Sequence, residues 1–173
     1  RAAYCPRQLY YARRDDDRGP PPETEARQAL AFRYDELRTA EDETLAGLPI
    51  ECSPAAYRDA LDGLSTRTDW EHLADPAEQD YYVEGKDCHG QIHKLLGGDP
   101  PIPTVISPGT PPEQGVWEPQ SVRAVAVANA LAWERQREIT RALVEYPTVG
   151  VVREVELTCR RTATYRRVLR TVR

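Results

Sequence analysis

The sequence predicts a mixed α/β domain in which a helical N-terminal lobe, residues 1–80, leads into an α/β core, residues 81–173. Three observations carry that prediction. Apolar residues recur at helical spacing through the first half, strand-like segments begin near Tyr81, and a helix apolar nearly all round lies between strands in the second half. At 173 residues, 40% hydrophobic and 29% charged, the chain is expected to form a single domain with its own core.

The opening stretch AAYCPRQLYYARR predicts a helix entered near Pro6, with Leu9 and Tyr10 inward and Arg7, Arg13 and Arg14 outward. The loop DDDRGPPP follows, then a helix over Glu23 to Leu37 that gathers Ala26, Leu30 and Leu37 on one face. Ser53 as cap and Pro54 in the first turn announce a helix to Leu64, and Asp75-Pro76 announces another short one. Tyr81 to Lys86, a turn at Asp87-Cys88-His89-Gly90, and Gln91 to Leu96 predict a β-hairpin. Seven prolines between Pro100 and Pro119 leave Thr104-Val105-Ile106 as the one short strand in that stretch. From Ser121 to Arg135, Val122, Val125, Val127 and Leu131 spread apolar surface round the helix, which therefore needs cover on most faces, as when it crosses a sheet. Ala142 to Tyr146 and Val151 to Leu157 read as two strands joined by a turn. A last helix from Arg160 carries Tyr165, Val168, Leu169 and Val172 at helical spacing.

Charge narrows the function classes. There are 28 acids against 23 basic residues, for a net charge of −5, and every basic residue except Lys86 and Lys94 is Arg. That balance is wrong for a uniformly basic nucleic-acid binder. It is also uneven, because residues 153–173 hold seven Arg and two Glu. An acidic, Lys-poor and Arg-rich composition suggests a GC-rich genome or a salt-loving host, and in strong salt screening shortens the reach of repulsion from DNA. No apolar run approaches the roughly 18 residues of a membrane span, and no secretory segment is visible, so no membrane partner is expected. Cys5, Cys52, Cys88 and Cys159 form no CxxC pair, which excludes a local zinc ribbon. Without a secretory signal they predict free thiols and a cytoplasmic protein. Arg at position 1 and the absence of Met indicate a piece of a longer protein.

Candidate chemistry concentrates in the hairpin, where Glu84, Asp87, Cys88, His89 and His93 are potential ligands. The spacing suits either a metal site or an exposed polar hairpin; Gly90 argues for a turn, which removes the meaning of the four-residue His89–His93 interval. No phosphate-binding Gly-rich loop and no nucleophile elbow is present. The Arg-rich ends suit phosphate neutralisation, with Tyr10 and Tyr11 offering stacking faces, or simply a solvated surface.

The segment Tyr4-Cys5-Pro6-Arg7-Gln8-Leu9-Tyr10-Tyr11 resembles the N-terminal motif of the CRISPR-associated exonucleases, RecB-like members of the PD-(D/E)XK nuclease superfamily. The later order of hairpin, strand, helix, strand pair and helix is similar too, over nearly the whole chain, and the acidic composition resembles a haloarchaeal branch. The resemblance implies a restriction-endonuclease-like core: a mixed sheet flanked by helices. It implies a 4Fe-4S cluster with Cys5 as its first ligand, the other three lying beyond Arg173. It further implies DNA as partner, single-stranded or at ends, together with CRISPR adaptation proteins. The family's centre holds Mg²⁺ or Mn²⁺ with an Asp, a Glu and a Lys. At those positions stand His93, Val105 and Ser107, with Arg123 at the Gln of the following helix and Val127 at the aromatic after it. A Val binds no metal and a Ser carries no positive charge, so the expectation is a degenerate nuclease site. Arg7, Tyr10, Tyr11, Arg13, Arg14 and Arg123 then contact DNA. Two alternatives stand beside it. One is an active exonuclease with relocated carboxylates (Asp99, Glu113 or Glu118) or with His93 as metal ligand beside Asp87 or Glu84. The other is a non-catalytic protein-interaction domain.

Overall fold

Five strands lie side by side in sequence order: β1 (Glu78–Glu84), β2 (His89–Leu96), β3 (Ile102–Ile106), β4 (Arg141–Tyr146) and β5 (Val151–Glu156). The computed structural model describes residues 19–172. Neighbouring strands run antiparallel except β3 and β4, which are parallel. Parallel neighbours need a long crossover, and here it is the helix α6 (Glu118–Arg135). Among the described residues the helices that precede the sheet are α1 (Pro22–Ala29), α2 (Tyr34–Arg38), α3 (Asp42–Ala46), α4 (Pro54–Ser65) and α5 (Trp70–Ala74), with a 3-10 turn at Leu30–Phe32; α7 (Cys159–Val172) follows it.

Alternation along the strands sends side chains to two cores. Val105, Val144, Tyr146 and Val155 pack with Ala124, Val125, Ala128 and Leu131 of α6 and with Tyr165 of α7. Ile102, Ile106, Leu143 and Val152 pack with Leu30, Tyr34, Leu37, Leu45, Tyr57, Leu61 and Leu73 on the other side. The cover expected on most faces of α6 follows from its place between the sheet and α7, with Arg123 and Trp133 left exposed. The architecture is α/β, a five-strand mixed sheet flanked by helices, consistent with a restriction-endonuclease-like core. The 3-10 turn and helices α2 to α5 share a core with the sheet and so form a layer on it, whereas α1 buries no side chain. The first part of the expected lobe, residues 1–18, lies outside the described residues.

Local chemistry explains most boundaries. Ser53 caps α4 by accepting the Ala56 N–H at 3.2 Å, with Pro54 in the first turn as expected. The helix expected over Glu23 to Leu37 is instead broken at Leu30–Phe32, and Arg33 leaves the helical region at φ −127°. The helix expected after Asp75-Pro76 does not form: α5 ends at Ala74, Asp75 has left the helical region that a following proline disfavours (φ −130°, ψ 81°), and β1 begins at Glu78. The hairpin turn falls at 85–88 rather than 87–90. There the Gly85 N–H donates to the Cys88 carbonyl at 2.8 Å, and the backbone of Gly85 lies so close to α6 that a Cβ would stand 2.6 Å from Ala130 Cα.

Candidate functional site

The positions that the nuclease resemblance singles out do meet, where β2 parts from β3. Pairing between these strands covers Lys94–Leu96 against Thr104–Ile102 and does not extend to His93. The Ile106 N–H donates instead to His93 Nδ1 at 3.0 Å. The imidazole thus replaces a ladder partner in a nearly closed position, 7% exposed. Burial first, then the charges of Arg123 and Lys94, push the His93 pKa down to about 3. The ring is therefore neutral at ordinary pH, and because Nδ1 accepts, its proton resides on Nε2.

Around it, Val105 is core, packed with the α6 side chains, and Ser107 is buried. The Ser107 N–H donates to the Glu145 carbonyl at 2.8 Å and its Oγ accepts from Gln120 Nε2 of α6 at 3.4 Å. Arg123, exposed on α6, acts on His93 through its charge.

These residues do not fit a Mg²⁺ or Mn²⁺ centre. Such ions take oxygen ligands, and His93, Val105 and Ser107 supply no carboxylate. To ligate through Nε2, His93 would have to move its proton to Nδ1, where the Ile106 N–H already points. Among the described residues no three His, Cys, Asp or Glu side chains come together as a metal-holding group. Glu84, Asp87 and His89 are exposed on the hairpin. Cys88 is half-buried, donating to the Ala126 carbonyl at 3.4 Å and accepting from Tyr165 Oη at 3.0 Å; burial pushes its thiol pKa up. The carboxylates considered as substitutes are placed elsewhere. Asp99 sits in the β2–β3 loop, at the opposite end of β3, paired with Arg137. Glu113 is exposed before α6, and Glu118 pairs with Arg167 of α7 at 3.8 Å. Cys5, Arg7, Tyr10, Tyr11, Arg13 and Arg14 lie outside the described residues.

One buried polar group is absent from the sequence reading altogether. On the helix-layer face of the sheet, Lys94 Nζ and Glu145 Oε2 form an ion pair at 3.0 Å, both side chains 0% exposed. Nζ also donates to the carbonyls of Leu73, at 3.0 Å, and Ala31, and lies 4.7 Å from the Tyr34 ring centroid. All three ammonium protons are thereby used. Burial is the largest influence on both groups, lowering the Lys94 pKa and raising that of Glu145, while their mutual attraction opposes it. Glu145 Oε1 has no hydrogen bond of good geometry among the described residues, although the Tyr34 hydroxyl is close enough to lower the Glu145 pKa. Sealed from solvent, the pair clamps the helix layer to the sheet. A lysine inside a short apolar strand was the one available signal.

No protein-family model matches this chain, and no curated protein matches it.

Proposed function

We propose that this chain is a RecB-like domain, similar to the CRISPR-associated exonucleases, that binds single-stranded DNA or DNA ends and whose nuclease centre has been dismantled. The observation that carries the reading is the site at the β2–β3 fork. The strand order and crossover are compatible with a restriction-endonuclease-like core, and the positions that the resemblance assigns to the metal centre carry His93, Val105 and Ser107, held there by backbone hydrogen bonds. DNA binding is supported by α7, which bears five exposed or half-exposed Arg side chains and no acid. No helix among the described residues is long and apolar enough to cross a membrane, and a cytoplasmic location, with CRISPR adaptation proteins as partners, belongs to the same proposal. So does the 4Fe-4S cluster at Cys5, for which visible absorbance of anaerobically purified full-length protein is the direct readout.

The test is incubation with end-labelled single-stranded DNA and Mn²⁺. The DNA is expected to stay intact while forming a complex that weakens as salt rises. Metal-dependent cleavage abolished by His93→Ala would overturn the loss of the centre; a chain that fails to shift DNA at low salt would overturn the DNA reading itself.

A further inference from the structure

Helix α7 arranges its charge in a stripe. At 100° per residue Arg160, Arg166, Arg167 and Arg170 fall within an arc of about 120° and span about 15 Å of axis, and all four are exposed. Tyr165 and Leu169, on the other side of the helix, pack into the core. Among the described residues the one salt bridge of this stripe is Arg167 to Glu118, 3.8 Å apart and with both side chains largely exposed.

Beside the stripe a groove of about 410 Å³ runs between α7 and the start of α6, lined by Ser121, Thr158, Arg160, Arg161 and Thr164, with Glu118 as its one acid. Arg161 is held in place: its guanidinium donates to the Glu156 carbonyl at 3.0 Å and its backbone N–H to Thr158 Oγ1 at 3.3 Å. A flat apolar surface lies one residue before the groove-lining Glu118. Trp117, the residue before Glu118, is 51% exposed, and its indole N–H donates to the Thr110 carbonyl at 2.9 Å. Its ring is fixed at one edge while much of its surface is open.

A row of exposed guanidinium groups, with the held Arg161 beside it and an exposed indole anchored at one edge, matches the two repeating parts of a nucleic-acid strand: phosphates take the Arg forks and an unpaired base stacks on the ring. We propose that the α6–α7 groove is the track for single-stranded DNA, with phosphates on Arg160, Arg161, Arg167 and Arg170 and a base on Trp117. The proposal rests on the DNA-binding reading above but moves the contact away from the remodelled centre, since Arg123 lies about 100° round α6 from the groove-side Val122. Entry of a phosphate displaces Glu118 from Arg167, so the acid acts as a built-in competitor.

Fluorescence anisotropy of a labelled 20-nucleotide oligo(dT), titrated with the chain over a series of salt concentrations, tests this. Arg160→Ala/Arg167→Ala is expected to weaken binding about tenfold at low salt and to flatten the log–log salt dependence by about 1.4, two contacts at 0.7 each. Trp117→Ala is expected to weaken binding to the single strand by about tenfold and binding to the equivalent duplex much less. Glu118→Gln is expected to tighten binding, a direction that mere loss of a structural salt bridge does not produce. Arg135→Ala/Arg137→Ala, at the far end of α6, serves as the charge-matched control. Wild-type chain that binds, with both Arg pairs contributing equally, would overturn the groove while leaving the DNA reading intact. Wild-type chain that does not bind overturns both. Duplex bound more tightly than single strand, with Trp117→Ala neutral, would overturn the stacking role and with it the assignment to single strands.

Discussion

Replacing Lys94 by Met removes a charge that the protein encloses completely and leaves its partner behind. Methionine fills much of the same volume, so the cost is electrostatic rather than a cavity. Two carbonyls, of Ala31 and Leu73, lose a charged donor, and Glu145 is left buried without its ammonium partner. Breaking a fully buried pair at one end costs about 3–5 kcal/mol, and about 4 kcal/mol is expected here. The variant should also acquire a pH dependence. Once Lys94 is gone, the main influence lowering the Glu145 pKa is gone, so its folded value rises further above the ordinary carboxylate value. The folded state then holds a proton that the unfolded chain releases, and stability falls as pH climbs from the unfolded pKa towards the folded one. The deficit should therefore be smaller at pH 5 than at pH 8. Replacing both partners, Lys94→Met with Glu145→Leu, removes the stranded charge, and such replacements range from neutral to stabilising by about 1–4 kcal/mol. Urea denaturation followed by far-UV circular dichroism at the two pH values measures all of this. A single-variant deficit below about 1 kcal/mol at pH 8, or a double variant no more stable than Lys94→Met, would refute the reasoning that an unpaired buried charge is what matters.

Acid should unfold the protein partly through His93. Its folded pKa of about 3 lies below the unfolded value of 6.5, so stability is present above 6.5 and is lost as pH falls through that window. By pH 4 the loss is about 3 kcal/mol, and His93→Asn, which keeps an acceptor for the Ile106 N–H, should lose less between pH 7 and pH 4 in urea titrations; equal acid sensitivity would contradict it. At the hairpin, Gly85→Ala places a methyl 2.6 Å from Ala130 Cα and 2.8 Å from its Cβ, where only backbone movement makes room. A penalty of about 2 kcal/mol corresponds to a Tm lower by about 4–8 °C, and an unchanged melting curve would show that the hairpin yields freely.

Periodicity and turn chemistry made much of the fold readable. The hairpin, the α6 crossover, the β4–β5 pair and α7 all announce themselves through alternation, Gly-containing turns or a 3.6-residue repeat. The failures share a cause, because the same residue signs opposite events. Proline in the first turn of α4 opens a helix, while Pro76 stands just beyond the end of one, and nothing local separates Ser53-Pro54 from Asp75-Pro76. The break at Leu30–Phe32 carries no Gly or Pro at all; there the Ala31 carbonyl turns to Lys94, which is 63 residues away. In the candidate site the positions of His93, Val105 and Ser107 could be found by order and spacing, but His93 as a stand-in for a ladder partner depends on where β2 leaves β3. Lys94 and Glu145 were illegible because lysine and glutamate are ordinarily surface residues. Only the placement of β2 and β4 on either side of β3, with Lys94 opposite Thr104 and Glu145 opposite Ile106, brings them within reach of one another.

The parallel step in the middle of the sheet also orders events in time. The β1–β2 hairpin closes over the four residues 85–88, and β4 and β5 are likewise joined by a short turn. Ile106 and Glu145, in contrast, meet across about 40 residues of chain, a closure that loop entropy penalises before any contact rewards it. The two antiparallel halves are therefore the fast-forming parts, and the slow event is their joining when the intervening helix docks. Trp117 and Trp133 stand near the two ends of that helix, so tryptophan emission should trail the far-ultraviolet signal during refolding and report the moment at which the sheet becomes continuous.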